Sequence, residues 1–213
     1  MKNQIRAFLL ALMLVPVAFM FAACGGSSDE ASKIGYTSGA NLYYKVEASS
    51  GEGATTYTSL GVNSSKYIKV DGGSEDENKT LLYHNSDPYT MIGYNWVLLG
   101  GYSTADFSIP GFSIQLTEAL VKSGHFADNQ TAKAALKSLK TSNIATVLGY
   151  TCVEYKVNTA SGYELYFASK DGVLLKKVKC DIYAETTQSY VVTALDLKPS
   201  FAKYLIAMPN LAR

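Results

Sequence analysis

The chain has 213 residues, 47% hydrophobic, 12% aromatic and 17% charged, with a formal net charge of +1. So even a balance excludes a nucleic-acid binder working through a basic surface, and no polybasic run marks a membrane-surface helix. Its 16 tyrosines and frequent Thr, Val and Gly favour strands, and the length suits one domain with a real core.

Lys2 and Arg6 precede an apolar run, Ala7–Ala23, which stops at Phe21-Ala22-Ala23-Cys24 and gives way to Gly25-Gly26-Ser27-Ser28. A basic start, an apolar stretch and a small-residue end make an export signal rather than a fold element. Two readings of the leader share that export: an ordinary signal peptide cut near Ala23, and a retained span. For a span the run is short against the roughly 20 residues required, and Pro16 interrupts it. The segment resembles the leader of bacterial lipoprotein precursors, whose lipobox ends in a Cys that becomes the lipidated first residue. That resemblance implies Cys24 as a membrane anchor, and an exported protein held at the periplasmic face or the cell surface of a bacterial membrane. Lys2 and Arg6 leave with residues 1–23, so the mature chain carries 17 basic against 18 acidic residues.

After Cys24, residues 24–33 read as a polar tether, in which Ser27, Ser28, Asp29 and Glu30 are too hydrophilic to pack. A single domain, residues 34–213, follows. Alternation places Leu42, Tyr44 and Val46 on one side of a strand, and Thr56–Val62 and Lys66–Val70 continue the pattern. Three more apolar runs, Thr80–His84, Tyr89–Tyr94 and Trp96–Leu99, are separated by the turn signal Asn85-Ser86-Asp87-Pro88 and by Asn95. Between Pro110 and Asn143 the period becomes helical. One or two turns cover Ser113–Ser123 and end at Gly124, and a second helix aligns Ala132, Ala135, Leu136 and Leu139 opposite Lys133, Lys137 and Lys140. Strands then resume as four β-rich runs, Ala145–Val157, Gly162–Ser169, Gly172–Ala184 and Gln188–Leu197, with a hairpin turn at Lys170-Asp171-Gly172. Phe201–Pro209 is apolar enough to lie against the sheet.

Motifs that carry chemistry are scarce. There is no Gly-x-Ser-x-Gly elbow, no His-Glu-x-x-His, no phosphate loop and no Cys-x-x-Cys. His84 and His125 have no spacing that joins them as ligands, and the reading for each is a surface or half-buried histidine. Asp71, Glu75, Asp76 and Glu77 crowd a Gly-rich loop but lack the ordered ladder of a Ca²⁺ site, so no metal and no cofactor is expected. In an oxidising compartment Cys152 and Cys180 could pair. Strand parity argues against it, because Val153, Tyr155 and Val157 define a face without Cys152, whereas Leu174, Val178 and Ile182 define one with Cys180; a bulge would restore the possibility.

The run Leu148-Gly149-Tyr150-Thr151-Cys152-Val153-Glu154-Tyr155, then Tyr163–Phe167, Asp171-Gly172-Val173-Leu174-Leu175-Lys176, Phe201 and Pro209, resembles envelope proteins of the LolA/LolB-like lipoprotein-carrier superfamily. Val173-Leu174 stands where that group often has a Pro-containing turn. The resemblance implies an α+β, β-rich fold in which a curled antiparallel sheet, an incomplete barrel, has a helical insertion over its open side. It also implies an apolar cavity for a lipid or acyl chain; with no nucleophile context visible in the sequence, no enzymatic activity is expected. The candidate lining residues are Leu82, Met91, Tyr94, Trp96, Leu120 and Leu136. A structural or interaction lipoprotein with a filled core, meeting an envelope protein partner, is the alternative.

Overall fold

The computed structural model describes residues 31–51, 53–72, 78–101 and 107–209. The leader, Cys24 and the acidic residues Glu75, Asp76 and Glu77 lie outside them. The elements are β1 (Leu42–Ser50), β2 (Gly53–Val62), β3 (Ser65–Asp71), β4 (Lys79–His84), β5 (Asp87–Ile92) and β6 (Asn95–Leu98), then α1 (Leu116–Lys122) and α2 (Asn129–Leu139). After them come β7 (Lys140–Val147), β8 (Tyr150–Thr159), β9 (Gly162–Ala168), β10 (Leu174–Asp181) and β11 (Thr186–Asp196).

All eleven strands form one antiparallel sheet in the order β6-β5-β4-β3-β2-β1-β11-β10-β9-β8-β7. Two meanders are thus joined at the β1–β11 seam, and β6 and β7 are left as edges, so the curled sheet does not close into a barrel. Tight turns set the register. Asn85 and Ser86 both take positive φ, 50° and 71°, and so do Leu148 and Gly149, at 51° and 78°. These are two-residue turns whose twist matches the strands they join. The second one corrects the sequence reading, because the run Ala145–Val157 is two strands, β7 and β8, broken at Leu148-Gly149.

The sheet has an inner and an outer face. Cross-strand partners share a face, so the row Ala48–Tyr190–Lys177–Tyr166–Tyr155 marks the inner one across β1, β11, β10, β9 and β8. A strap of residues 107–115, α1 and α2 cover it, burying Phe112, Leu116, Ala119 and Leu120 against Val46, Tyr166 and Val192. On the outer face the row Tyr43–Leu60–Tyr67–Leu82–Tyr89–Leu98 crosses the other half of the sheet. The C-terminal segment covers it with Phe201, Tyr204, Ile206 and Met208, as the apolar tail predicts. Tyr204 stacks on Tyr43 at 3.7 Å between ring centroids, and Asp196 accepts hydrogen bonds from Lys203 at 2.6 Å and from Tyr204 at 2.7 Å.

The helices end where their sequences say they should. Gly124 at φ 75° closes α1, with its N–H on Val121 and the His125 N–H on Leu120, so the last carbonyls are satisfied. Asp128 caps α2 by accepting from the Thr131 N–H at 2.8 Å. At its other end the fold begins earlier than the polar composition suggests. Ser32, inside the stretch read as a tether, bonds through its backbone to Thr151 and Lys170, and Asp171 accepts from the Ile34 and Gly35 N–H groups.

Cys152 and Cys180 are buried and free. The parity reading is overturned, although pairing is not realised: both thiols lie on the outer face. In β8 the apolar alternation marks the inner face, but in β10 the inner position belongs to Lys177 while Val178 and Cys180 face outward. Distance keeps them apart. Cys180 faces Tyr163, which faces Asn158, six residues beyond Cys152 on β8. At about 3.3 Å per residue that is about 20 Å along the strand, far beyond disulfide reach.

Candidate functional site

Between the inner face of β1–β3 and the strap lies a cavity of about 560 Å³. Leu42, Tyr44, Phe107, Ile109, Phe112 and Ile114 form its apolar walls, and Ser59 and Gly61 its floor. Lys66, Lys122, Gln115 and Glu118 stand among the polar residues that line it. A lining that mixes apolar walls with polar and charged groups suits an amphipathic molecule better than a pure hydrocarbon. Burial pushes the Tyr44 phenol up to about 12, so it stays neutral.

The strap that closes this cavity is fastened in two ways. Its C-terminal end is tied by backbone: Leu174 N–H donates to Ile114, Leu116 N–H to Gly172, and Gln115 bridges Val173. The middle of the strap is tied by a buried lysine. Lys177 Nζ donates to the Gly111 carbonyl at 3.2 Å and to Ser123 Oγ at 2.8 Å, and pairs with Glu164 at 3.2 Å. Only Gly fits at 111, where φ is 68° and a Cβ would come within 2.8 Å of the Tyr190 hydroxyl. Glu164 also accepts from Tyr166 and sits 3.0 Å from His125 Nε2.

Burial alone pushes the Glu164 carboxyl up. The bonds from Tyr166 and His125 and the charge of Lys177 outweigh burial and hold it below its ordinary value. Burial pulls Lys177 down against the opposing pull of Glu164, and it pushes Tyr166 up, with Glu164 adding to the rise. One cation and one anion therefore anchor both the strap and the end of α1 to the sheet. Sequence periodicity cannot find this cluster, because Lys177 and Glu164 occupy strand positions that look solvent-facing until α1 is placed above them.

A smaller cavity of about 330 Å³ lies where α1, α2 and the β9–β10 turn meet, lined by Leu116, Lys133, Leu136 and Tyr155 among others.

No protein-family model matches the chain, and no curated protein matches it by sequence. Solved structures do. An uncharacterised conserved protein from Thermus thermophilus is similar with a TM-score of 0.45 and 10% identity over 82% of this chain and 89% of that one. MucB is similar with a TM-score of 0.48 and 11% identity over 80% of this chain, which spans 58% of MucB; a structure of the Pseudomonas aeruginosa MucA/MucB complex is also similar. A LolA superfamily protein from Nitrosomonas europaea shares 7% identity with a TM-score of 0.31, over 81% of this chain and 92% of that one.

The lining residues expected from sequence do not form one site. Leu120 on α1 is fully buried, and Leu136 on α2 lines the smaller cavity. Leu82 is buried on the opposite, outer face. Met91 pairs with Trp96 on that same face, and Trp96 Nε1 donates to the Ala207 carbonyl at 2.7 Å. Tyr94 is fully exposed at the β5–β6 turn. The larger cavity is lined instead by the strap and by β1–β3, where Tyr44 was legible only as part of a strand face with Leu42 and Val46.

His125 belongs to the buried cluster. His84 Nδ1 lies 2.7 Å from Ser65 Oγ. The described residues hold no cluster of three or more metal-ligating side chains, and no helix among them is long and apolar enough to cross a membrane.

Proposed function

We propose that this chain is a cell-envelope binding protein that holds one amphipathic, acyl-bearing ligand between the strap and β1–β3, and is tied to a membrane through lipid on Cys24. The observation that carries the reading is the cavity of about 560 Å³, inside the roughly 300–1,000 Å³ range of small-molecule sites. Its apolar walls supply binding through burial at about 25 cal/mol per Å². Lys66, Lys122, Gln115 and Glu118 in the lining offer partners to a polar head beside the apolar chain. The protein acts by holding its ligand, without covalent chemistry. Cys24 and its leader supply the export and the attachment.

The test is native mass spectrometry of the exported full chain carrying Cys24→Ala, followed by titration with a fluorescent fatty acid. One ligand per chain, displaced by unlabelled fatty acid, is the expected result. Absence of any co-purified lipid together with absence of uptake overturns the reading and leaves a structural envelope protein whose cavity is solvent. Attachment is read separately, by the mass of the mature N-terminus in the unmodified chain.

A further inference from the structure

We propose that the free edge of β6 pairs with the same edge of a second copy of this chain, joining two sheets across a two-fold axis. The two edges of the sheet are built differently. β7 begins with exposed Lys140, and its register with β8 shifts between Lys140 and Ile144, which spoils a ladder for any further strand. Among the described residues β6 has no such guard. From Pro88 to Gly101 the β5–β6 hairpin carries no charged residue.

Backbone geometry leaves β6 ready to pair. Gly93 at φ 62° opens a two-residue turn between Ile92 and Asn95, so Ile92–Asn95 and Thr90–Val97 are the pairs that exchange hydrogen bonds. The Leu99 N–H continues inward, to the Pro88 carbonyl at 2.9 Å. Trp96 and Leu98 therefore direct their N–H and C=O groups outward, where the strand order places no further strand. Beside them the inner-face row Ile68–Leu81–Thr90–Val97 leaves the cover: Ile68 is 2% and Leu81 3% exposed, but Val97 is 42% exposed. Ile92, Tyr94 and Leu98 are 62%, 100% and 61% exposed.

The occupant follows from charge. A two-fold contact sets a surface against itself, so any charged residue near the axis meets its own like charge. An uncharged edge escapes that penalty, and apolar neighbours add burial. The chain enters the fold elsewhere. Ser32 docks on Thr151 at the start of β8, nine steps from β6 in strand order and at the end of the strands away from Tyr94. The hairpin thus lies clear of whatever holds the N-terminus.

The experiment is analytical ultracentrifugation of the full chain carrying Cys24→Ala, alone and with Val97→Lys or Leu98→Pro. Val97→Lys places a like charge on each side of the axis. Leu98→Pro removes an outward N–H that β5 does not use. The expected result is a dimer whose dissociation constant rises about tenfold or more in each variant, the scale of one or two lost ladder bonds, with far-UV circular dichroism unchanged. A chain that stays monomeric at every concentration overturns the proposal. So does a dimer indifferent to both substitutions, or a monomer that sediments with phosphatidylcholine vesicles and is released by Tyr94→Asp.

Discussion

Lys177→Met tests whether the polar cluster holds the cover down. The substitution keeps most of the side chain's volume but removes a cation whose side chain is 6% exposed, together with its bonds to Gly111, Ser123 and Glu164. Breaking a buried ion pair from one side costs about 3–5 kcal/mol, because the partner charge stays buried. Glu164 retains Tyr166 and His125 as donors, so the lower end, about 3 kcal/mol, applies. For a domain of this size that is a fall in Tm of about 6–12 °C. Differential scanning calorimetry and urea unfolding read it directly.

Adding Glu164→Gln to Lys177→Met removes the stranded charge, and the double variant recovers about 1–2 kcal/mol relative to the sum of the singles. The acid limb moves as well. The folded Glu164 carboxyl lies below its ordinary 4.5, so its contribution is present above that value and is lost as pH falls through the folded value. Without Lys177 the folded carboxyl rises, and acid unfolding begins at higher pH. A loss below about 1 kcal/mol, as for a surface lysine, or strict additivity in the double variant, refutes the assignment.

Gly61→Phe fills the larger cavity: Gly61 lines it, and a Cβ there meets nothing within 4 Å. Fatty-acid uptake is expected to fall at least about tenfold while Tm stays within a few degrees; unchanged uptake places the ligand elsewhere. Asp196 is held down to about 2 by the hydrogen bond from Lys203, the Lys198 N–H and Tyr204. Its contribution to C-terminal docking is present above its ordinary 3.8 and lost as pH falls through about 2. Trp96 emission, reporting on Ala207, should follow that limb, and Asp196→Asn should abolish it. Cys152 and Cys180 should titrate as two free thiols in denaturant under non-reducing conditions and resist thiol reagents in the folded protein, where burial pushes Cys152 up to about 12.

Strands and helices were legible because their signals are local. Asn85-Ser86, Gly124, and the Ala132–Leu139 spacing each act within a few residues, and each appears in place. What escaped depended on which face was covered and by what. Val178 and Cys180 looked like a core face, but in β10 the helix-covered side carries Lys177, and an apolar tail covers the other face further along the sheet. That double covering also explains the scattered lining set. Leu82 and Leu120 are equally apolar and equally buried, yet they lie on opposite sides of the sheet, and hydrophobicity alone cannot assign a side when both sides are occupied.

The placement of the cavity follows from how the two halves are sealed. Over β8–β11, α1 and α2 sit directly on the inner face, and the Lys177–Glu164 pair fixes their height. Over β1–β3 the strap spans the gap, with Glu118 and Lys122 of α1 at the side of the cavity, and it is fixed at Gly111 by Lys177 and at Ile114–Leu116 by backbone bonds to β10 and the turn before it. Small floor residues, Ser59 and Gly61, keep the space beneath it open. A ligand there would touch the strap on one side and the inner face of β1–β3 on the other, so its burial would add to the same attachment that Lys177 provides. Ligand occupancy and the Lys177 cluster should therefore stabilise the protein together. In the Lys177→Met variant fatty acid should therefore bind more weakly and raise Tm by less than it does in the unmodified chain.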